Sequence, residues 1–292
     1  MNLNLFIHKI YSSFLKKSGI KNKKTRRSWI DKKYNNQPLI SFIIQSHNKS
    51  AEVKHIVAKL RHIPNSEIIV IDDGSKINHT KTLASYLDGA NEFVISANDL
   101  YENVMYNRAI RFASGKYLAL LQDDGDVDNA SWVDNAVNYF SKYPEMVILG
   151  GYGGFSIDIK DAKVCENLIL YGENTGKDFS FVHTVNRAPM WINKKLFDEK
   201  LKNIDFSFAP FQYDDAELCL RAWINGLQVG WYNAGFKSLS AGGMRIWNTQ
   251  FIKEQVILNQ KLLFDMYKDK KEVLDKLVND ANSDYCAEKL VE

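Results

Sequence analysis

Two acidic turns hold the densest chemistry in this sequence. Ile68-Ile69-Val70-Ile71 runs into Asp72-Asp73-Gly74-Ser75, and Tyr117-Leu118-Ala119-Leu120-Leu121 runs into Gln122-Asp123-Asp124. Short apolar runs bounded by turn residues predict inner strands of a largely parallel sheet. Open α/β sheets bind ligands at the carboxyl ends of their strands. Two acidic clusters on that edge repel one another unless something cationic or hydrogen-bonding lies between them. A divalent ion carrying a phosphorylated nucleotide meets that need, because hard cations take oxygen ligands and share them with phosphates. A third acidic group, Asp214-Asp215-Ala216-Glu217, opens a predicted helix. Carboxylates are favoured at a helix amino end, so capping that first turn is reason enough for acids there.

The elements that must position these groups alternate. A strand over 39–44 leads into Gln45-Ser46-His47-Asn48, and a helix over 51–62 puts Val53, Ile56, Val57 and Leu60 on one face. Strands follow over 67–71, 92–95, 116–121 and 146–149, separated by helices over 80–87, 103–113 and 130–143. Ser114-Gly115 reads as a helix C-cap, and Pro144 stops the third of these helices. Such alternation predicts βαβ units with right-handed crossovers. Gly150-Gly151-Tyr152-Gly153-Gly154 reads as a flexible link. Beyond it the pattern loosens, with strands over 164–170, 179–185 and 228–232, a helix over 214–225 ended by Gly226, and a long amphipathic helix over 251–277, continuous or broken. The expected fold is α/β, a Rossmann-like, mostly parallel sheet flanked by helices, with helical termini.

Charge divides the chain. Residues 1–33 carry ten Lys or Arg against Asp31 alone, so the +3 net charge leaves about −6 on everything after them. Leu3, Leu5, Phe6, Ile7, Ile10, Tyr11, Phe14 and Leu15 can share one helix face in this arm. The stretch is too short to cross a bilayer, and its charges follow the apolar part, unlike a secretory signal. A basic amphipathic helix of this kind suits an anionic membrane surface; a solvated arm, or a helix packed on the body, fits the same residues. Nucleic acid is not an expected partner, because no base-stacking module accompanies the basic run. Cys165, Cys219 and Cys286 are odd in number and far apart, which predicts no disulfide framework or zinc site and a cytoplasmic setting, with the inner face of the plasma membrane as the place for the arm. No G-x-G-x-x-G follows the first strand, which argues against a nicotinamide-dependent oxidoreductase.

Taken in order, Ser41-Phe42-Ile43-Ile44-Gln45-Ser46-His47-Asn48, Ile69-Val70-Ile71-Asp72-Asp73-Gly74-Ser75, Ala113-Ser114-Gly115-Lys116-Tyr117 and Leu121-Gln122-Asp123-Asp124 resemble the nucleotide-binding half of family 2 glycosyltransferases, whose fold is of the GT-A type. Asp214-Asp215-Ala216-Glu217-Leu218-Cys219-Leu220-Arg221 is similar to that family's acceptor-side motif, and the resemblance covers about 39–247. It implies an inverting, metal-dependent transfer of a sugar from a nucleoside-diphosphate donor, UDP- or dTDP-linked, to a hydroxyl of a glycan or lipid-linked acceptor in polysaccharide or cell-surface glycan synthesis. It also implies roles. Gln45, His47, Asp72, Asp73 and Asp123 fall at nucleotide-binding positions, His47 where an aromatic lies against the base and Asp123 at the ribose. Asp124 falls at the Mg²⁺ or Mn²⁺ position and Asp215 at the general base. Asp214, Arg187, Trp191 and Arg245 fall on the acceptor side, with Trp191 equally readable as core. Asn107 serves either the nucleotide or packing. The implied organisation is an arm and linker over 1–37, a donor-binding half over 38–150, an acceptor and catalytic half over 151–250, and a helical extension over 251–292. Two departures are visible. Gln122 stands where an acid is more common, and no histidine follows His183 to serve the metal or the phosphates. A catalytically degenerate scaffold in a membrane glycan-assembly complex is the alternative these departures suggest.

Overall fold

In this computed structural model, residues 37–289 are described apart from 88–90, 99, 128–130, 173–175, 188 and 239–248. Pro38–Glu292 form one compact unit. The basic arm and Arg245 lie outside the described residues.

Strands β1 (Ile40–Ser46), β2 (Ser66–Asp73), β3 (Glu92–Ala97) and β4 (Tyr117–Gln122) pair in parallel in the order β3-β2-β1-β4. Helices α1 (Ser50–Leu60), α2 (Ile77–Tyr86) and α3 (Tyr101–Phe112) alternate with them in the chain. Every residue of β1 is buried, as a strand covered on both faces requires. Beyond β4 the sheet continues through β11 (Met190–Asn193), β6 (Met146–Gly150), β12 (Gln228–Tyr232) and β9 (Phe179–Phe181), making eight strands. Helix α4 (Trp132–Lys142) precedes β6. A second sheet holds β7 (Gly153–Lys160) between β8 (Lys163–Tyr171) and β10 (Thr184–Val185), and β5 (Gly125–Val127) pairs with β13 (Phe236–Ser238). Helix α5 (Asp214–Ile224) packs on β10, and two helices, α6 (Thr249–Tyr267) and α7 (Lys271–Lys289), complete the unit.

The structure adds detail to the expected fold and changes three local readings, those of the glycine run, the 179–185 strand and Gly115. The main sheet is mixed, because β11 inserts antiparallel between β4 and β6. The glycine run is no free link: β6 ends at Gly150, β7 starts at Gly153, and a Cβ on Gly154 would lie 3.0 Å from the Trp231 ring. The strand over 179–185 divides between two sheets as β9 and β10, and the last long helix is two helices. Gly115 is not a helix cap. Its Cβ would sit 2.5 Å from Ser41 N, so glycine is required there for β1 and the approach to β4 to lie side by side.

Candidate active site

Register sets the floor of the site. Ser46 lies opposite Asp72 across β1 and β2, and Gln45 lies opposite Gln122 across β1 and β4, so both acidic turns leave the sheet at one edge. The loop after β1 ties them together. His47 N–H donates to Asp123 Oδ2 at 2.8 Å, and His47 Nδ1 lies 2.6 Å from Asp73 O. A carbonyl only accepts, so Nδ1 carries the proton and the imidazole is held by its edge. Asn48 follows in the left-handed conformation (φ +59°), its N–H on Ser75 Oγ and its Oδ1 accepting from Lys76 N–H.

The two carboxylates of the first turn are fully buried and differ in partner. Asp72 accepts from Thr80 Oγ1 at 2.6 Å, fastening α2 to the end of β2. Asp73 accepts the N–H groups of Leu100 (2.9 Å) and Tyr101 (3.0 Å) at the entry to α3. Gln45 is buried too. The expectation that Gln45 and Asp72 touch the nucleotide therefore meets side chains enclosed by the fold. Asp73 is enclosed as well, and a base could reach it only through a second lone pair on an oxygen that already accepts.

The second turn is open. Burial pushes the Asp123 carboxyl up to about 6, against the His47 N–H and Lys49, whose ammonium lies 3.7 Å away, and with the neighbouring Asp124 adding to the rise. Asp124 is half-buried, and among the described residues no cation pairs with it. No described group of three His, Cys, Asp or Glu gathers into a metal cage. One half-buried carboxylate free of a described cation, beside a second, is a donor set that fits Mg²⁺ or Mn²⁺, which keep waters and lean on ligand phosphates. β13 ends at Ser238 opposite Gly125, one residue beyond Asp124.

The third acidic group is built around an ion pair. Arg187 grips the fully buried Asp214 with two hydrogen bonds, 2.7 and 3.0 Å. Burial opposes the charge on Arg187, yet Asp214 and Asp215 outweigh it and hold the guanidinium charged. The guanidinium lies over the Tyr106 ring at 5.2 Å, and Tyr106 donates to Leu121 O at 2.8 Å, just before the Asp123–Asp124 turn. Burial raises the Tyr106 phenol; the charge of Arg187 opposes that rise, and those of Asp123 and Asp124 add to it. One buried stack, Arg187 on Tyr106, thus stands between both acidic pairs. A second link joins Asp73 to the same helix: Tyr101 stacks on Phe211 at 5.3 Å, three residues before Asp214. These contacts link the elements that carry Asp73, Asp124 and Asp215, which lie far apart in sequence.

Asp215 itself opens α5 half-buried, with Ala216 N–H on Oδ1 at 3.0 Å. Burial raises its pKa, Arg187 and the backbone N–H lower it, and Asp214 raises it again; the balance is upward. A carboxylate with a raised pKa is better matched to proton abstraction near neutral pH than an ordinary one. Gln212 (φ +75°) and Tyr213 (φ +63°) lead into it, both left-handed without being glycine. Such residues each cost about 1–3 kcal/mol and persist only where the surroundings enforce them, chiefly at functional sites. The enforcing residue is Asn259 of α6, buried, whose Nδ2 lies 2.8–2.9 Å from the carbonyls of Phe208, Phe211 and Gln212.

This geometry bears on the acceptor-side residues Asp214, Arg187 and Trp191, and on Asn107, for which the nucleotide and packing were both open. Asp214 and Arg187 are spent on each other. Trp191 is fully buried in β11 against Phe42 and Trp132, with Nε1–H on Tyr232 Oη, so it is core and not a sugar platform. Asn107 bonds both Ile204 N–H and Ile204 O, which makes it a packing residue. Tyr101, Tyr106 and Asn259 were not singled out from sequence; they belong to no motif, and nothing local distinguishes them from ordinary helix residues.

The sequence pattern described as Glycosyl transferase family 2 matches residues 41–209. Comparison with curated proteins finds no match. Among solved structures, GalNAc-T7 with UDP, GalNAc and Mn²⁺ is 16% identical, with a TM-score of 0.55, over 68% of this chain and 43% of that one. The chain thus spans less than half of GalNAc-T7. The mannosyltransferase PcManGT from Pyrobaculum calidifontis, in complex with GDP-Man and Mn²⁺, is 12% identical with a TM-score of 0.53, over 92% of this chain and 82% of that one. S. aureus TarS 1-349 in complex with UDP-GlcNAc is 12% identical with a TM-score of 0.55, over 82% and 70%. At these identities the likeness establishes a shared GT-A fold.

Proposed function

Since the chain belongs to glycosyl transferase family 2 and is a glycosyltransferase, we propose that it inverts the anomeric centre of a nucleoside-diphosphate sugar, with a divalent cation on Asp124 and Asp215 as the general base. The reading rests on one observation: the stack of Arg187 on Tyr106 lies between the Asp123–Asp124 turn and the Asp214–Asp215 helix start. Donor phosphates and acceptor hydroxyl would then meet over the same stack.

In this mechanism the donor lies along the carboxyl edge of β1, β2 and β4. The His47 imidazole, held by Asp73 O, offers its face to the base. Asp123 receives the ribose hydroxyls, and Lys49 balances its charge. The cation, when bound, neutralises the charge that develops on the departing diphosphate. The acceptor oxygen attacks the anomeric carbon from the side opposite the diphosphate, the carbon–oxygen bond to phosphate breaks, and its electron pair leaves with the nucleoside diphosphate. The hydroxyl proton passes to Asp215. Arg187 and Asp214 fix the start of α5 so that Asp215 stays within reach. Residues 1–33 would bring this site to an anionic membrane where a lipid-linked acceptor resides. The intact Asp123, Asp124 and Asp215 favour an enzyme over a scaffold.

GalNAc-T7 and TarS were crystallised with UDP ligands, and PcManGT with GDP-Man, so the base is tested and not assumed. A thermal-shift panel of UDP, dTDP and GDP with and without Mn²⁺ reads base and metal together, because ligands that bind the folded state raise its melting temperature. One base should give a metal-dependent rise that Asp124→Asn abolishes. No rise with any of them would overturn the reading.

A further inference from the structure

We propose that Tyr152, Tyr171 and Phe236 form an aromatic platform that binds a neutral pyranose ring of the acceptor, the role that the buried Trp191 does not fill. This rests on the reading that the donor lies along β1, β2 and β4 with its cation on Asp124.

Strand register brings these rings to the edge that carries the acidic turns. Met190 of β11 lies opposite Leu120 of β4 on one side and Gly150 of β6 on the other. Gln122 and Tyr152 each follow two residues later. So β6 delivers Tyr152 two strands over from the end of β4, on the side away from β1 and β2. The main chain there is pinned: Gly151 N–H donates to Pro189 O at 2.9 Å, and Trp231 Nε1–H donates to Tyr152 O at 3.0 Å. Phe236 of β13 packs on the residue after Asp124, where a Cβ on Gly125 would lie 2.4 Å from its ring. The Phe236 and Tyr152 ring centroids are 4.7 Å apart, and those of Tyr152 and Tyr171 are 5.0 Å apart, both pairs edge-on at 68°. Tyr171 stands on β8 opposite Gly153. The three rings form one row that starts against the cation turn and runs out onto the small sheet. The helix that carries Asp215, α5, packs on that same sheet through β10.

The row is not core. Tyr152 and Phe236 are half-buried and Tyr171 is 46% exposed. The indoles of Trp191 and Trp231, fully buried behind them, spend their N–H groups inside the fold. Among the described residues the two phenols bond only each other, at 3.4 Å. That bond uses one hydroxyl hydrogen and leaves the second for a ligand. The hydrogen bond with Tyr171 and burial push the Tyr152 phenol up to about 12, and the charges of Tyr171 and Asp124 add to the rise, so its hydroxyl stays protonated. An aromatic face carries negative π density. It attracts the C–H face of a pyranose, whose hydroxyls lie around the rim and can meet the phenols. Aromatic walls with a few placed polar groups are the usual make-up of a small-molecule site. An anionic ring would meet the charge of Asp124, and an open-chain polyol has no ring face to lay down.

Saturation-transfer NMR on the full-length protein, with Mg²⁺ and the nucleoside diphosphate that the thermal-shift panel selects, reads acceptor binding apart from turnover. The probes are methyl glucopyranoside, methyl galactopyranoside and methyl N-acetylglucosaminide, with sorbitol as the open-chain control. At least one pyranoside should bind through its ring C–H protons, and sorbitol tenfold or more weakly. Tyr171→Ala should weaken pyranoside binding tenfold or more, whereas Tyr171→Phe, which keeps the ring, should stay within about threefold. Both variants should show the nucleotide-induced rise in melting temperature of wild type. In turnover, Tyr171→Ala should raise the acceptor KM about tenfold with a smaller change in kcat. Equal pyranoside binding by wild type and Tyr171→Ala overturns the inference. So does sorbitol binding as tight as that of any pyranoside, or binding of no pyranoside at all. A normal nucleotide-induced rise with any of these results overturns the platform alone. No rise with any nucleotide overturns the transferase reading, and the acceptor role with it.

Discussion

Replacing Asn259 by alanine should damage a site that it never touches. An amide nitrogen has two hydrogens, so the three carbonyls at 2.8–2.9 Å share them, one bond being bifurcated. Its Oδ1 also accepts from Gln255 Nε2 at 3.0 Å. Loss of two hydrogen-bond equivalents, with buried carbonyls left unpaired, costs about 2–4 kcal/mol. For a chain of this size each kcal/mol moves the melting temperature by roughly 2–4 °C, so a fall of about 5–15 °C is expected. The local consequence is larger than the global one. Gln212 and Tyr213 are held left-handed, and together they store on the order of 2–6 kcal/mol of strain. Without Asn259 that strain has a route to relax, and the start of α5 turns with it. A displacement of about 1 Å at a reacting group lowers turnover by about a hundredfold. The assay is donor turnover alongside nucleotide affinity and thermal melting. Nucleotide affinity should change little, because His47, Asp73 and Asp123 are held by other contacts. Ile257, 66% exposed on the same helix, supplies the control: Ile257→Gln should match wild type in both readouts. If Asn259→Ala melts within 1 °C of wild type and turns over donor at the same rate, α6 does not support the base.

Other substitutions separate positioning from chemistry. Asp215→Asn should keep nucleotide binding while transfer collapses by a thousandfold or more in a turnover assay; near-wild-type turnover would remove it from the role of base. Arg187→Met strands the buried Asp214 charge, an uncompensated loss of about 3–5 kcal/mol, and should appear as a large fall in melting temperature or as insoluble protein; a stable, soluble variant would contradict the account of that ion pair. The pH profile has a defined sign. The pKa of Asp215 is raised, and the base works only deprotonated, so the acid limb of kcat/KM should lie above about pH 4, where an ordinary aspartate titrates. A limb at or below pH 4 would mean that a different group is titrating. Removal of residues 1–33 should weaken binding to vesicles containing anionic lipid and leave turnover on soluble hexosides in place; sedimentation with such vesicles decides it.

What the sequence reveals and what it hides divide along a physical line. β1, β2 and β4 were legible with their exit turns because a parallel strand buried on both faces reads as an unbroken apolar run, and the turn after it must carry small or acidic residues. The start of α5 was legible for a similar reason, three acids ahead of an apolar face. β11 was not: Met190-Trp191-Ile192-Asn193 is four residues long, and periodicity over four residues cannot tell a strand from a helical turn. Its insertion moves Trp191 from a plausible sugar platform to the middle of the core. The clasp of Arg187 and Asp214 was hidden because the partners are 27 residues apart and each alone reads as an acceptor contact. The donor half of such a site is written in contiguous turns, where one strand end supplies several groups at once. The start of α5 is instead held by single residues on separate elements, Arg187 and Asn259, so its geometry is a property of packing and shows only in the fold.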